Sequence, residues 1–304
     1  MFRCKKGTLL KRLWQHRLDA GPDTERLKAA AFAMLAALDE HHLKTLLDAL
    51  ETRAGEWSPC VVHGPTARTV DGICAYALSC RLWRWPQLGD ELKCLVWCHA
   101  RDLCINPYHW SKLCKSDSLE CVPTSEDRLW SEPGCWAEMA YWEFKERVGR
   151  LFPVHDNFIN VFADLPRGNG FCLKSMSAVS NKHDSVTTKI KNKIGLGITI
   201  SREDNSVWVY NRSNYPVFLN SHTLDPPTAR KLTVYKLLPG YSIKAFDYDK
   251  AAKYSPLQEK IQSEEGPFDP YTIRISFTKG WGPKYSRQCI TNCPCWLELI
   301  LVRR

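Results

Sequence analysis

The first 50 residues have the apolar spacing of amphipathic helices. Apolar side chains at positions 9, 10, 13 and 14 alternate with six basic residues in the first 17 positions. This pattern predicts a short basic amphipathic helix or a solvated arm with a few docked side chains; nuclear import or anionic-surface binding is the functional alternative. An Ala- and Leu-rich run over 27–38, with capping residues at 23 and 24, predicts a second helix, and 42–51 a third.

The pattern changes to short apolar pieces between Trp57 and Trp110, where Gly, Pro and Cys interrupt every run. We expect no long regular element there, so this region needs another source of order. Residues from Lys112 to Pro133 are polar, acidic and poor in aliphatic side chains, which is typical of a linker.

Beyond Cys135 the chain is rich in short β signals at the spacing of a sandwich. Val207–Tyr210 and Tyr215–Leu219, separated by a polar turn, predict a hairpin, and a helix is predicted near Asp249 to Gln262. The other predicted strands are Trp136–Phe144, Gly170–Leu173, Ile198–Ile200, Leu232–Leu237, Tyr241–Phe246, Tyr271–Phe277 and Cys295–Leu301. The last two flank a Gly-rich basic loop, where we expect recognition.

These changes in apolar spacing and composition divide the 304 residues into four parts. We predict a basic N-terminal segment (1–23), a first domain (24–112), a linker (113–134) and a second domain (135–304). The expected fold class is α+β, with a small helical and β first domain and an antiparallel β-sandwich, flanked by helices and loops, as the second.

Charge and cysteine content narrow the environment. The chain has 42 Lys and Arg against 33 Asp and Glu, a net charge of +9, which favours anionic partners. Fourteen cysteines without a signal-like N-terminus indicate a reducing compartment. No apolar run is long enough to cross a bilayer, so membrane insertion is not expected.

Soft ligands in the first domain predict a zinc site. The pattern Cys98-x5-Cys104-x4-His109, downstream of Cys60, supplies four ligands suited to tetrahedral Zn²⁺. Spacing alone leaves Cys74, Cys80, Cys94 and Cys114 as competitors. A catalytic zinc would need an open position and a general base, and no such arrangement occurs, which favours a structural ion.

Several motifs resemble one family. The segments Cys80-Arg-Leu-Trp-Arg-Trp-Pro86 and Cys104-Ile-Asn-Pro-Tyr-His109 are similar to the N-terminal Mad-homology domain of Smad proteins. The second half resembles the C-terminal Mad-homology domain in Trp142, Arg147–Arg150, Gly168–Phe171, Lys193–Gly195, Val207–Ser213, Lys244–Asp247, Phe277–Gly282 and Cys293–Trp296.

Departures from the signalling Smads point to the inhibitory branch. The chain ends at Leu301-Val-Arg-Arg304 without the phospho-acceptor Ser-x-Ser tail, and the region after Val70 lacks the basic DNA-reading hairpin. The opening residues, 1–14, also resemble inhibitory Smads. The Pro-Pro-x-Tyr motif that recruits ubiquitin ligases does not occur in the sequence.

The resemblance implies structural Zn²⁺ at Cys60, Cys98, Cys104 and His109, although the stretch between Cys98 and Cys104 is shorter than is usual in the family. It also implies that the second domain binds an activated type I receptor serine/threonine kinase of the TGF-β/BMP family, and other Smads, through a basic groove. Lys189, Lys193, Lys279 and Arg287 match groove positions; Lys191 and Lys284 are further basic candidates.

Ubiquitin ligases and transcription cofactors are further implied partners, and cytoplasm and nucleus are the expected locations. A second hypothesis is a DNA-binding transcriptional regulator or co-repressor acting through the zinc domain. A hydrolase has little support, because Ser175, Ser177, His183 and Asp184 form no recognisable nucleophile arrangement. We therefore expect a binding protein, not an enzyme.

Overall fold

A computed structural model describes most of the chain. The described residues are 5–18, 24–53, 58–64, 69–70, 72–88, 91–114, 134–164, 170–177, 185–227, 229, 232–258 and 269–303. The chain divides into two compact units, Met1–Leu113 and Cys114–Arg304. Most of the predicted linker, residues 115–133, lies outside the described part.

The first unit contains the predicted helices. They are α1 (Lys5–Gln15), α2 (Thr24–Ala36) and α3 (Glu40–Thr52), and the side chain of Asp39 caps α3 by accepting a bond from the N–H of His42. Leu9 and Leu13 of α1 are buried in the same core as α2 and α3. Within the described part of the N-terminal basic segment, residues 5–15 therefore form a docked helix and not a solvated arm.

The expectation of no long element between Trp57 and Trp110 was wrong. After β1 (Thr69–Val70) and β2 (Ile73–Cys74) comes a nine-residue helix, α4 (Ala75–Trp83), followed by β3 (Leu92–Cys94) and β4 (Trp110–Leu113). Leu78 and Leu82 lie one turn apart on the buried face of α4. Ser79 and Cys80 are also buried, but small side chains such as these are not counted when the spacing of large apolar residues is used to predict a helix.

The second unit is mainly β-structure. Its elements are β5 (Ala137–Glu143), β6 (Glu146–Val154), β7 (Phe158–Phe162), β8 (Phe171–Cys172), α5 (Leu173–Ser177), α6 (Ser185–Ile194), β9 (Ile198–Glu203), β10 (Ser206–Asn211), β11 (Val217–Ser221), β12 (Tyr235–Leu237), β13 (Tyr241–Asp247), α7 (Tyr248–Gln258), β14 (Thr272–Phe277) and β15 (Trp296–Leu301). The predicted continuation of α7 to Gln262 lies outside the described residues.

Two layers of strands enclose one core. One sheet has the order β12-β11-β14-β15-β5-β6, and the other layer of this unit has the order β13-β10-β9-β7-β8. All of these pairs are antiparallel except β7 with β8. Met139 and Leu297 from the first layer share the core with Ile200 and Val209 from the second. The α+β class with an antiparallel sandwich is confirmed.

The predicted hairpin over 207–219 was wrong, because β10 and β11 belong to different layers. The connection is held by Asn211, whose side-chain N–H groups donate to the carbonyls of Tyr215 (2.9 Å) and Leu237 (3.0 Å). Its side-chain oxygen accepts from the N–H of Ser213 at 3.0 Å. The hydrogen bonds of this fully buried side chain thus stabilise the backbone where it passes from one layer to the other.

Four elements of this unit were not predicted: β6, β7, α5 and α6. The strands β6 and β7 and the helix α6 lack a strong periodic signal, and α6 buries only Thr187, Ile190 and Ile194. In the described part of the chain, no helix combines the length and apolar character needed to span a bilayer.

Candidate metal centre and basic surface

Four predicted ligands meet in the first unit. The ligand atoms of Cys60, Cys98, Cys104 and His109 all lie within 4.8 Å of one another. Short turns supply two of them, because Cys104 follows the 3₁₀ turn Arg101–Leu103 and His109 ends another, Pro107–His109. The short stretch between Cys98 and Cys104 is therefore compatible with convergence.

The distances fit a tetrahedral ion. Zinc bonded to sulfur at about 2.3 Å and to nitrogen at about 2.0 Å separates two sulfurs by about 3.8 Å, and a sulfur from a nitrogen by about 3.5 Å. The Sγ atoms of Cys60 and Cys98 are 3.8 Å apart. Nδ1 of His109 lies 3.5 Å from the sulfur of Cys60 and 3.4 Å from that of Cys104. These residues could hold a metal ion.

The second ring nitrogen of His109 fixes the tautomer. Its Nε2 lies 3.0 Å from the carbonyl oxygen of Ser58. A carbonyl only accepts, so Nε2 carries the proton and Nδ1 presents its lone pair to the cysteines. The imidazole is thus oriented for metal binding by a backbone group two residues before Cys60.

Asn106 joins the two ligand-bearing segments, and sequence reasoning missed it. This fully buried amide donates to the hydroxyl of Ser58 (2.7 Å) and the carbonyl of Pro59 (3.2 Å), and it accepts from the N–H of Tyr108 (3.0 Å). An Asn between Cys104 and His109 was visible in the sequence, but its partners, about 48 residues earlier, were not.

The sulfurs also share protons. A hydrogen bond from Cys104, and a second from Cys94, hold the pKa of Cys98 well below its usual value. The hydrogen bond between Cys104 and Cys98, together with burial, raises the pKa of Cys104. These hydrogen bonds therefore favour the thiolate form of Cys98, and a bound cation would displace the remaining protons of the cluster.

The competing cysteines do not join this group of four. Cys80 lies in the core with its thiol 3.9 Å from the carbonyl of Pro107, and burial raises its pKa to about 12. Cys94 hydrogen-bonds to Cys98, while Cys74 and Cys114 are half-buried thiols elsewhere.

In the second unit, the basic candidates fall on α6 and on the loop between β14 and β15. The buried stripe of α6 turns Lys189 and Lys193, one turn apart, towards solvent. Lys193 Nζ lies 5.4 Å above the ring of Tyr215. Among the described residues, neither lysine has a carboxylate partner.

Lys191 differs from its neighbours. It forms an ion pair with Glu143 at the end of β5, and both side chains are largely buried, 18% and 11% exposed. Its ammonium also lies 5.8 Å from the ring of Tyr141. Lys191 therefore has a structural partner and is not presented to solvent like Lys189 and Lys193.

The β14–β15 loop is anchored by aromatic packing. Trp281 is buried with Phe218 and Trp296, and Tyr285 packs edge-on against Phe218 at 5.4 Å. The N–H of Gly282, at φ +88°, donates to the carbonyl of Arg287 at 2.7 Å and closes the turn. The ring of Tyr285 fills the space beside Gly280.

The anchored loop carries three basic side chains that reach solvent. Lys284 is exposed, and Lys279 and Arg287 are half-exposed. No ion pair involves them within the residues that the structure describes. The carbonyl of Lys279 accepts bonds from the hydroxyl of Ser276 (2.7 Å) and the thiol of Cys293 (3.7 Å), which fix its backbone.

The α6 lysines and the loop adjoin through Tyr215 and Pro216. Lys193 lies over the ring of Tyr215, and the carbonyl of the next residue, Pro216, accepts a bond from the N–H of Thr278 at 3.1 Å. Thr278 precedes Lys279. This series of contacts connects Lys193 with Lys279, 86 positions later in the sequence. We call the five cations of α6 and the loop the basic surface: Lys189, Lys193, Lys279, Lys284 and Arg287.

Known families match both units. A family model described as the MH1 domain matches residues 27–114, and one described as the MH2 domain matches residues 134–302. "Mothers against decapentaplegic homolog 6" of Gallus gallus is 39% identical, covering 90% of this chain and 75% of the relative. "Mothers against decapentaplegic homolog 7" of Rattus norvegicus is 38% identical, covering 94% and 80%.

The chain is an inhibitory Smad. The more distant "Dwarfin sma-3" of Caenorhabditis elegans is 25% identical, covering 74% of this chain and 72% of the relative. The predicted family resemblance is thus confirmed in both halves of the chain.

The β1–β2 hairpin, where the family resemblance predicts a DNA-reading element, is small. Its strands β1 and β2 have two residues each and pair as Thr69 with Cys74 and Val70 with Ile73. None of these four side chains is basic. The described hairpin therefore lacks the arginine or lysine donors that read base edges in a major groove.

Proposed function

We propose that this inhibitory Smad antagonises TGF-β/BMP-family signalling by binding the phosphorylated segment of an activated type I receptor kinase through the basic surface. The observation that carries the proposal is the meeting of Lys193 and Lys279 through Tyr215, Pro216 and Thr278. Occupying the receptor there blocks pathway Smads without any catalytic step.

Phosphate suits this surface because it combines charge with several acceptor oxygens. A phosphorylated side chain carries a charge of about −1.5 to −2 and accepts charge-assisted hydrogen bonds. The guanidinium of Arg287 can bind it bidentately, and the ammonium groups of Lys279, Lys193 and Lys189 add point charges. Lys191 keeps its ion pair with Glu143 and so stabilises the position of α6 against the end of β5.

A rigid loop makes these charges effective. Binding loses less conformational entropy when the side chains project from a fixed backbone. The burial of Trp281 and the bond from Gly282 to Arg287 hold the loop before any ligand arrives. This supports a preformed receptor-docking site.

The first unit has a different role. We assign a structural Zn²⁺ to Cys60, Cys98, Cys104 and His109; when bound, the ion cross-links turns that bury little apolar surface of their own. The protonated Nε2 of His109 and its bond to Ser58 keep the imidazole aimed at that position.

The decisive experiment measures binding of the full chain to juxtamembrane receptor peptides, phosphorylated and unphosphorylated, from both receptor classes. We expect binding only to the phosphorylated forms. Lys279→Glu with Arg287→Glu removes two charge-assisted contacts of about 1.5–3 kcal/mol each, so the affinity falls about 100-fold or more.

A matched control reverses two charges at the other end of the sheet. Arg303 follows the far end of β15, whose six residues span about 20 Å from the loop, and Lys253 is exposed on α7. Lys253→Glu with Arg303→Glu changes the net charge equally and is expected to leave the affinity within about twofold of wild type. Equal loss in both double variants would reject the basic surface as the site.

Further partners follow from the same reading. We expect contacts with other Smads and with transcription cofactors, in cytoplasm and nucleus. Ubiquitin ligases would need a contact other than the absent Pro-Pro-x-Tyr motif. DNA binding is expected to be weak or absent, since the β1–β2 hairpin carries no basic side chain.

A further inference from the structure

A cavity of about 290 Å³ lies in the first unit, away from the cysteine cluster. It sits where the C-terminal ends of α1, α3 and α4 come together with Tyr108, and it is open to solvent on one side. Its volume is near the small end of ligand pockets, which begin at about 300 Å³. No role in zinc binding or in the basic surface uses it.

The apolar part of the wall is formed by Leu18, Leu50 and Trp83. The indole N–H of Trp83 donates to the carbonyl of Leu13 at 3.1 Å, and the N–H of Leu18 donates to the carbonyl of Leu82 at 2.8 Å. These bonds fix the wall, so a small apolar or aromatic group would meet a preformed surface.

Arg84 lines the cavity and is held by several contacts. One terminal nitrogen, Nη1, donates to the carbonyls of Pro107 (3.0 Å) and Trp110 (2.7 Å). The guanidinium also stacks 4.1 Å from the ring of Trp85 and 5.2 Å from that of Tyr108. Both hydrogen bonds use Nη1, so Nη2 and Nε remain for another acceptor.

Tyr108 and Arg53 complete a set of donors. Burial raises the pKa of the Tyr108 phenol, while the nearby guanidinium groups of Arg84 and Arg53 act in the opposite direction. In the described residues, the Tyr108 hydroxyl has no hydrogen-bond partner and Arg53 has no carboxylate. His16 also lines the cavity, with Nε2 at 3.5 Å from Glu51, which Arg12 binds at 2.7 Å.

A purely structural explanation is that these cations neutralise the three helix ends, each of which carries about half a negative charge. The bonds do not support this. Arg84 donates to Pro107 and Trp110 beyond the helices, and the carbonyls of Ala49 and Cys80 are already bonded by backbone N–H groups. The guanidinium groups of Arg53 and Arg84 also carry more positive charge than the three helix ends carry negative charge, and the imidazole of His16 is present in addition.

We propose that this cavity binds the phosphate of a small monoester, with oxygens held by Arg53, Arg84 and the Tyr108 hydroxyl and the ester's apolar group against Leu18, Leu50 and Trp83. Three donor groups, from the ends of α3 and α4 and from the Pro107–His109 turn, match the three terminal oxygens of a phosphate monoester better than the two oxygens of a carboxylate. The ligand is either a phosphorylated aromatic side chain of a partner protein or a free aryl-type phosphate.

The test is a titration of the full chain, labelled with ¹⁵N-tryptophan, in which the indole resonance of Trp83 reports occupancy. The probes are phenyl phosphate, inorganic phosphate, phenol and a short phosphotyrosine peptide. We expect a saturable shift with phenyl phosphate at millimolar concentrations or below, weaker binding of inorganic phosphate and no saturable shift with phenol. Tighter binding of the peptide than of phenyl phosphate assigns a protein ligand, and the reverse assigns a free ester.

Two substitutions separate the ligand role from a structural role. Arg53→Gln is expected to weaken phenyl phosphate binding at least tenfold and Tyr108→Phe about threefold, whereas Lys11→Gln removes one charge from the exposed face of α1 and changes nothing. Unshifted indole resonances of the unliganded variants show that they remain folded. No saturable shift in wild type, or equal binding by Arg53→Gln and wild type, overturns the proposal.

The outcome is independent of receptor binding. Lys279→Glu with Arg287→Glu is expected to leave the Trp83 shift unchanged, and Arg53→Gln to leave the receptor-peptide affinity unchanged. Loss of the Trp83 shift in the loop variant would overturn the assignment of the phosphate to the first unit.

Discussion

Gly280→Ala tests whether the packing of the β14–β15 loop sets the geometry of the basic surface. A Cβ at position 280 would lie 2.6 Å from the Cε1 and Cζ atoms of Tyr285. Ordinary carbon contacts are about 3.5–4.0 Å, so the ring must move by about 1 Å. Because that ring packs on Phe218, the segment carrying Lys284 and Arg287 moves with it.

Overpacking of this kind costs about 1–3 kcal/mol. Tyr285 is half-exposed and can shift in part, so we expect the lower half of that range, about 1–2 kcal/mol. Urea unfolding of the full chain, followed by tryptophan fluorescence, measures the loss. We also expect weaker binding of the phosphorylated receptor peptide, although no charge has been removed.

Two controls make the reasoning refutable. Gly134→Ala places a Cβ where nothing lies within 4 Å, so the same chemical change is expected to be neutral. In a Tyr285→Ala background the clash disappears, and Gly280→Ala should then cost under about 0.5 kcal/mol. An unchanged urea midpoint and peptide affinity for Gly280→Ala would show that the loop does not depend on this contact.

Three further predictions follow. Mass spectrometry of the native protein should find one zinc per chain in wild type and in Cys94→Ser but less in Cys104→Ser, and a chelator should destabilise wild type; full zinc in Cys104→Ser would contradict the ligand set. Burial lowers the pKa of His222 to about 4, so folding stability should fall by up to about 3 kcal/mol as pH drops from 6.5 towards 4, and His222→Gln should flatten that part of a pH–stability profile. Lys191→Met leaves the largely buried Glu143 with the hydroxyl of Tyr141 but without its cation and should cost about 1–3 kcal/mol of unfolding free energy, whereas Lys189→Met should cost under about 0.5 kcal/mol; equal costs would place both lysines in the same environment.

The sequence predicted the helices of the first unit well because their apolar spacing is strong. Prediction from the sequence failed where side-chain hydrogen bonds determine the course of the backbone. Between β10 and β11, a polar turn flanked by β-prone residues is typical of a hairpin, yet the buried amide of Asn211 bonds Tyr215 and Leu237 and sends the strands to different layers. Helix α6 was missed because Ser, Thr, Lys and Asn dilute its short buried stripe.

The candidate metal centre could be predicted from ligand chemistry, since few combinations of Cys and His have compatible spacing. Its supports could not, because the bonds from Asn106 to Ser58 and from His109 to Ser58 join distant segments. Likewise, the spacing of the three alternating lysines does not separate Lys191 from the other two, although the family resemblance matched only Lys189 and Lys193. The ion pair with Glu143, 48 residues earlier, shows the physical difference in the environment of Lys191.

The bond from Thr278 to Pro216 has a consequence for specificity. It joins two backbone groups, and so does the bond that closes the loop between Gly282 and Arg287. Lys279 and Arg287 themselves contribute backbone atoms to this frame, and every amino acid except proline has those atoms. Substituting either cation would change which anions the surface prefers while leaving the frame in place. Partner preference in such a domain can be retuned one side chain at a time, without refolding the loop that displays it.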